Sequence, residues 1–237
     1  IGENNTTDEI VGDIARSFKG LNEFQIKQIL YLAYLDEGQL DEDDKQLVLE
    51  EKEQFIKKSN LLDLINTKED PDNIGGLENL KEWLERKKIV FSSLDKAIKQ
   101  GVDIPKGILI VGMPGCGKSL AAKATAKLFE LPLVRLDVGR LLGKYVGESE
   151  NNMRKALALS EAMSPCVLWI DELEKSFAGV GGEGGNDVTT RLFGQFLTWM
   201  QEKENSVFIV ATANNIDAMP PEFLRKGRFD EILQRPL

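Results

Sequence analysis

No histidine occurs among the 237 residues of the chain. General-base chemistry through imidazole and any zinc site built on histidine are therefore excluded. Cysteine is nearly as scarce. Cys116 lies in a glycine-rich turn and Cys166 heads an apolar run, a placement that argues against a structural disulfide and for a reducing compartment. No run of roughly 18 apolar residues exists, so no transmembrane helix is expected. Residues 1–8 have neither a basic nor an apolar segment, so no signal peptide is expected, and Ile1 in place of Met is not expected to be the natural start. Positive charge falls short of negative, 30 Lys and Arg against 39 Asp and Glu, a net −9 that would repel DNA or RNA over most of the surface. The length suffices for one large domain or two modest ones.

What is present is concentrated in one stretch. The apolar segment Ile108–Val111 runs into Gly112-Met-Pro-Gly-Cys-Gly-Lys-Ser119, which fits G-x-x-x-x-G-K-[ST], the Walker A phosphate-binding loop of nucleoside triphosphatases. Glycines let the backbone curl so that successive N–H groups point at phosphate oxygens. The helix predicted from Leu120 to Phe129 adds the positive end of its dipole. Pro114, Gly115, Cys116, Gly117, Lys118, Ser119 and Leu120 are thus candidate nucleotide contacts. Lys118 is placed to reach the β- and γ-phosphates of ATP, and the Ser119 hydroxyl to bind Mg²⁺. Cys116 reads either as a small residue that fits the loop or as a thiol activated at a helix N-terminus.

From Lys106 onward strand and helix patterns alternate, with strands predicted at Ile108–Val111, Leu133–Leu136, Val167–Ile170 and Val207–Ala211. That alternation argues for a parallel sheet covered on both faces, with functional residues at the carboxyl ends of its strands. Val167-Leu-Trp-Ile ends in Asp171-Glu172, a Walker B pair in which Asp171 would hold Mg²⁺ and Glu172 would polarise the attacking water. Trp169 within it reads as core. The run Phe208-Ile-Val-Ala-Thr-Ala-Asn214 is another strand with a polar tip, and Pro220-Pro-Glu-Phe-Leu-Arg225-Lys-Gly-Arg228-Phe-Asp230 follows.

These last segments resemble the second region of homology of the AAA ATPases in the narrow sense. The resemblance implies that Asn214 is the sensor that positions the lytic water. It implies that Arg225 and Arg228 are arginine fingers acting on the nucleotide of a neighbouring subunit, and hence a homo-oligomer, in this family usually a hexamer. An arginine suits that task through its permanent charge and planar fork; the competing reading is a surface salt bridge. By the same resemblance Lys144, Tyr145 and Val146 form a pore loop that grips a polypeptide substrate, with Gly179–Gly185 as a second pore loop. Tyr145 packed into a core or an interface is the alternative. Arg191 matches an arginine at the family's subunit interface. Asp72, Ile74 and Gly75, with Gly76, resemble the motif that packs on adenine; a linker turn competes.

The resemblance spans about Asp72 to Arg235. Finer likeness in Phe193–Lys203 and Ala211–Asp217 is to a cyanobacterial, plastid and bacterial AAA subgroup, which implies a cytoplasmic or plastid-stromal setting. The sequence stops at Leu237, where the family continues into a helical lid with a second sensor arginine. Upstream, helical periodicity runs from about Thr7 to Ile65, including a helix predicted from Asp43 to Lys58. Asn22-Glu-Phe-Gln25 has the form of a capping box. Residues 1–66 are expected to be a small all-α subdomain, read either as the lid of an earlier ATPase-like module or as an adaptor bundle. Residues 67–237 are expected to be the large α/β subdomain of a P-loop NTPase, a doubly wound parallel five-stranded sheet. The expected activity is Mg²⁺-dependent hydrolysis of ATP to ADP and phosphate that drives protein remodelling. A nucleic-acid motor or loader and a nucleotide-gated scaffold are the alternatives.

Overall fold

The computed structural model describes residues 23–37, 44–65, 78–92, 100–143, 147–177 and 187–234, with Ala15, Phe18 and Ala97 individually. The expectations for Asp72, Ile74, Gly75, Gly76, Lys144, Tyr145, Val146 and Gly179–Gly185 lie outside the described residues. Within them the order is α1 (Glu23–Glu37), α2 (Asp44–Ser59), β1 (Leu62–Ile65), α3 (Glu78–Ser92), β2 (Gly107–Val111), α4 (Lys118–Phe129) and β3 (Leu133–Leu136). Then come α5 (Val138–Leu141), α6 (Glu148–Ala162), β4 (Cys166–Ile170), α7 (Leu173–Ser176), α8 (Asp187–Glu202), β5 (Val207–Ala213), a 3₁₀ turn (Pro221–Leu224) and β6 (Glu231–Gln234). No described helix is long and apolar enough to cross a membrane.

The sheet is α/β and mostly parallel, in the order β1-β3-β4-β5-β2-β6. Six strands replace the expected five, and β1 runs antiparallel to β3, pairing Leu62 with Leu136 and Ile65 with Leu133. Both strands missing from the sequence reading, β1 and β6, are four-residue edges with partly exposed faces. They lack the continuous apolar run that marks a strand buried on both sides. The all-α character expected through residue 66 is corrected in the same way. Its last residues form a sheet strand, and Ile56 of α2 joins Leu62 in the sheet's main core.

Alternation along the central strands explains why both faces are covered. Ile108 and Ile110 of β2 point to one side, with Val167 and Trp169 of β4 and Phe208 and Val210 of β5. There they meet Leu80, Leu84 and Phe91 of α3 and Ala122, Ala126 and Phe129 of α4. Leu109 and Val111, with Leu168, Ile170, Ile209 and Ala211, point the other way, onto Met153 and Leu157 of α6 and Phe196 and Met200 of α8. Period-two strands between two helical layers leave no polar face on the central strands.

Two buried titratable groups, Cys166 and Lys52, lie near a partly buried one, Lys203. Burial pushes the Cys166 thiol from its ordinary 9.0 up to about 12, against the charges of Lys203 and Lys52. Burial pushes Lys52 from 10.5 down to about 8 and Lys203 likewise to about 8. Lys203 Nζ donates to Val207 O at 2.7 Å. Between pH 8 and 9 the unfolded chain holds lysine protons that the folded chain has released, so stability rises with pH. Above pH 9 the unfolded thiol ionises while folded Cys166 stays protonated, which opposes the rise. The melting temperature is expected to climb from pH 8 to 9 and more slowly above pH 9, as scanning calorimetry would show, with Lys203→Met weakening the climb.

Candidate active site

The glycine loop begins where β2 ends, and Gly112 N–H donates to Ala213 O of β5 at 3.0 Å. Gly115 and Gly117 have φ of 84° and 82°, left-handed values that a side chain disfavours. They turn the chain so that α4 starts at Lys118 with its N-terminus on the loop. Lys118 is 8% exposed, and its Nζ donates to Gly112 O at 2.6 Å and Met113 O at 2.8 Å. The loop thus buries a cation beside a row of backbone amides, a cradle for an anion. Ser119 follows on the first turn of α4, on the exposed side.

The acid pair stands two strands away. Ile170 of β4 is level with Ala211 of β5, which puts Asp171 opposite Thr212. Thr212 is fully buried; its Oγ1 donates to Asp171 Oδ1 at 2.5 Å and accepts from Glu172 N–H at 3.1 Å. Glu172 has φ of 49°, a strained value for a residue with a side chain. The threonine clamp fixes that backbone and delivers both carboxylates at the end of β4.

Asn214, at the end of β5, lies between two acids. Its Nδ2 donates to Glu172 Oε1 at 3.2 Å and to Glu174 Oε1 at 2.9 Å. It also lines a cavity of about 800 Å³ with Gly112, Met113, Pro114, Gly115 and Cys116. On the other side, Asp171, Glu172 and Lys175 line a cavity of about 340 Å³ with Arg135 and Thr189. Lys175 Nζ lies 2.7 Å from Glu172 Oε1. That bond, more than those from Asn214 and the Lys118 charge, holds the Glu172 carboxyl below the usual range against partial desolvation.

Asp171, Glu172 and Asn214 are therefore brought together by hydrogen bonds, with the Lys118 charge acting on Glu172. Arg225 and Arg228 are not. β6 pairs in parallel with β2, Ile108 opposite Glu231, so the residues before β6 sit at the amino end of β2. There Asp230 Oδ2 accepts from Lys106 N–H at 2.7 Å and Gly107 N–H at 2.8 Å, and Arg228 Nη1 donates to Leu197 O at 2.8 Å. From Gly107 to Gly112 an extended chain covers roughly 16 Å, so both arginines lie at the end of the sheet opposite their own phosphate loop. Arg191 Nε pairs with Glu150 Oε1 at 2.7 Å within the chain. Cys116 and Cys166 are not joined by a disulfide.

Sequence reading missed Thr212, Glu174 and Lys175. Thr212 carried one available signal, a hydroxyl in the otherwise apolar run Val207–Ala213. Glu174 and Lys175 sit in a four-residue helix after the acid pair, where spacing gives no hint of what they touch.

A glycine loop between a buried parallel strand and a helix N-terminus, a buried lysine, and an acid pair on the strand two places away define a P-loop nucleoside triphosphatase. Residues 108–237, more than half of the chain, match the model of the ATPase family associated with various cellular activities (AAA). Residues 2–59 match that of the SpoVK-like AAA ATPase, second domain. The chain is 44% identical over 228 residues to the "Uncharacterized AAA domain-containing protein ycf46" of Pyropia yezoensis, covering 96% of this chain and 46% of that protein. It is 44% identical over 220 residues to the ycf46 protein of Guillardia theta, 93% and 43% of the two chains. To the "Putative ribosome biogenesis ATPase nvl" of Dictyostelium discoideum it is 38% identical over 171 residues, 70% and 20%. The chain belongs to the AAA family of ATPases, and it spans less than half the length of the ycf46 proteins that it matches.

Replacing Thr212 with the near-isosteric valine would leave Asp171 Oδ1 and the Glu172 N–H without their shared partner. A loss of about 1–3 kcal/mol is expected. Denaturant unfolding of Thr212→Val against the parent checks it.

Proposed function

We propose that the intact protein is a ring-forming ATPase whose subunits complete one another's sites and which remodels a polypeptide.

ATP bound at the loop would meet Lys118 at its β- and γ-phosphates, drawn there from the carbonyls of Gly112 and Met113. Ser119 and Asp171 offer hard oxygen donors of the kind Mg²⁺ takes, in a site where one carboxylate and the substrate phosphates share the ion. Mg²⁺ bound there would neutralise charge on the phosphates. Glu172 takes a proton from water, the water oxygen bonds to the γ-phosphorus, and the bond to the β–γ bridging oxygen breaks to give ADP and phosphate. Asn214, hydrogen-bonded to Glu172, orients that water.

The observation that carries the shared site is the position of Arg225 and Arg228. They flank the amino end of β2 while the phosphates would sit at its carboxyl end, so neither can serve its own nucleotide. A neighbouring copy that presents this end to the loop would supply the guanidinium. The polypeptide substrate, gripped by Tyr145 and Val146, and the hexameric ring rest on the resemblance to the family. The match of residues 2–59 to a second AAA domain supports an AAA-like module as the origin of α1 and α2. The ycf46 relatives support a plastid or cytoplasmic setting.

Glu172→Gln in the intact protein tests this reading. The variant is expected to bind ATP with parent affinity, to lose about two orders of magnitude or more in turnover, and to accumulate as a nucleotide-bound oligomer. Turnover at the parent rate would remove Glu172 as the base.

A further inference from the structure

Glu174 is an acid that the hydrolytic scheme above does not use. It is 8% exposed, in the short helix α7 directly after the acid pair. Its Oε1 accepts from the Asn214 backbone N–H at 3.0 Å and from Asn214 Nδ2 at 2.9 Å. Its Oε2 is buried with no hydrogen-bond partner among the described residues. A carboxylate buried with one oxygen unsatisfied is destabilising, which leaves its contact with Asn214 as the feature to be explained.

We propose that Glu174 is a positioning residue for hydrolysis, fixing the Asn214 amide in the orientation that ties the sensor to the base. The proposal rests on the roles given above to Asn214 and Glu172. An asparagine amide has two chemically different ends, and rotation by half a turn exchanges donor for acceptor. In the rotated state Oδ1 would face two carboxylate oxygens, Glu174 Oε1 and Glu172 Oε1, and be repelled by both. In the observed state Nδ2 spends one hydrogen on each. The backbone N–H of Asn214 donates to the same Glu174 oxygen, so the carboxylate anchors the end of β5 as well as the side chain. Without Glu174 the contact with Glu172 alone, at 3.2 Å and on a half-exposed side chain, must hold the amide.

The test is a double-mutant cycle in the intact protein, with kcat and KM for ATP measured for Glu174→Ala, Asn214→Ala and the pair, beside Glu174→Gln. Glu174→Ala is expected to lower kcat at least about tenfold while KM stays within about twofold. Glu174→Gln keeps an acceptor at Oε1 and is expected to stay within about threefold of the parent kcat. The double variant is expected to be no slower than Asn214→Ala alone, because Glu174 acts through that residue. Parent kcat in Glu174→Ala, or losses that multiply in the double variant, would overturn the proposal. Should Glu174→Ala fail to fold, Glu174→Asp keeps the charge but withdraws the oxygen, and parent kcat there would overturn it equally. A parent rate in Asn214→Ala would instead fault the role given to Asn214, and the proposal would go with it.

Discussion

The register of three parallel strands is the constraint on which the site depends. β2, β5 and β4 are paired so that Val111 stands opposite Ala213 and Ile170 opposite Ala211. The next residues in each chain are therefore the phosphate loop, Asn214 and the Asp171–Glu172 pair. The parallel ladder stops here beside a crevice, and the crevice at the carboxyl ends of the strands is where α/β sheets bind ligands. Thr212 locks the register chemically, since a single hydroxyl holds Asp171 and the backbone of Glu172 to β5. A slip of one residue would turn Thr212 to the other face and break both contacts.

The opposite end of the same sheet carries the arginines, and the core links the two ends. Phe223, in the turn before Arg225, packs on Phe177 at 5.7 Å, Phe193 at 5.0 Å and Phe196 at 6.2 Å between ring centroids. Phe177 immediately follows α7, which carries Glu174 and Lys175. Phe229, next to Arg228, lies 6.2 Å from Phe223. A packed aromatic cluster responds as a unit rather than by small independent shifts. The segment that would touch a neighbour's nucleotide and the segment that sets the acids of the chain's own site thus share one core.

Much of this was legible in the sequence, for a physical reason that also marks its limit. The phosphate loop and the acid pair are local: each is a few consecutive residues whose chemistry follows from order along the chain. The central strands are apolar on both faces and announce themselves as unbroken runs. β1 and β6 are short edges with mixed exposure, so they passed as a tail of a helix and a chain end. Thr212, Glu174 and Lys175 matter through contacts made across strands or around a helical turn, and no spacing rule encodes those partners. The trans reading of Arg225 and Arg228 began as a resemblance. Its physical support, their place at the amino end of β2, needed the pairing of β6 with β2.

The measurement to make is specific ATPase activity as a function of protein concentration, for the intact protein and for Arg228→Ala. A site completed by a neighbouring subunit predicts activity per chain that rises with concentration and collapses in the variant. Activity that is flat in concentration and indifferent to Arg228 would contradict it.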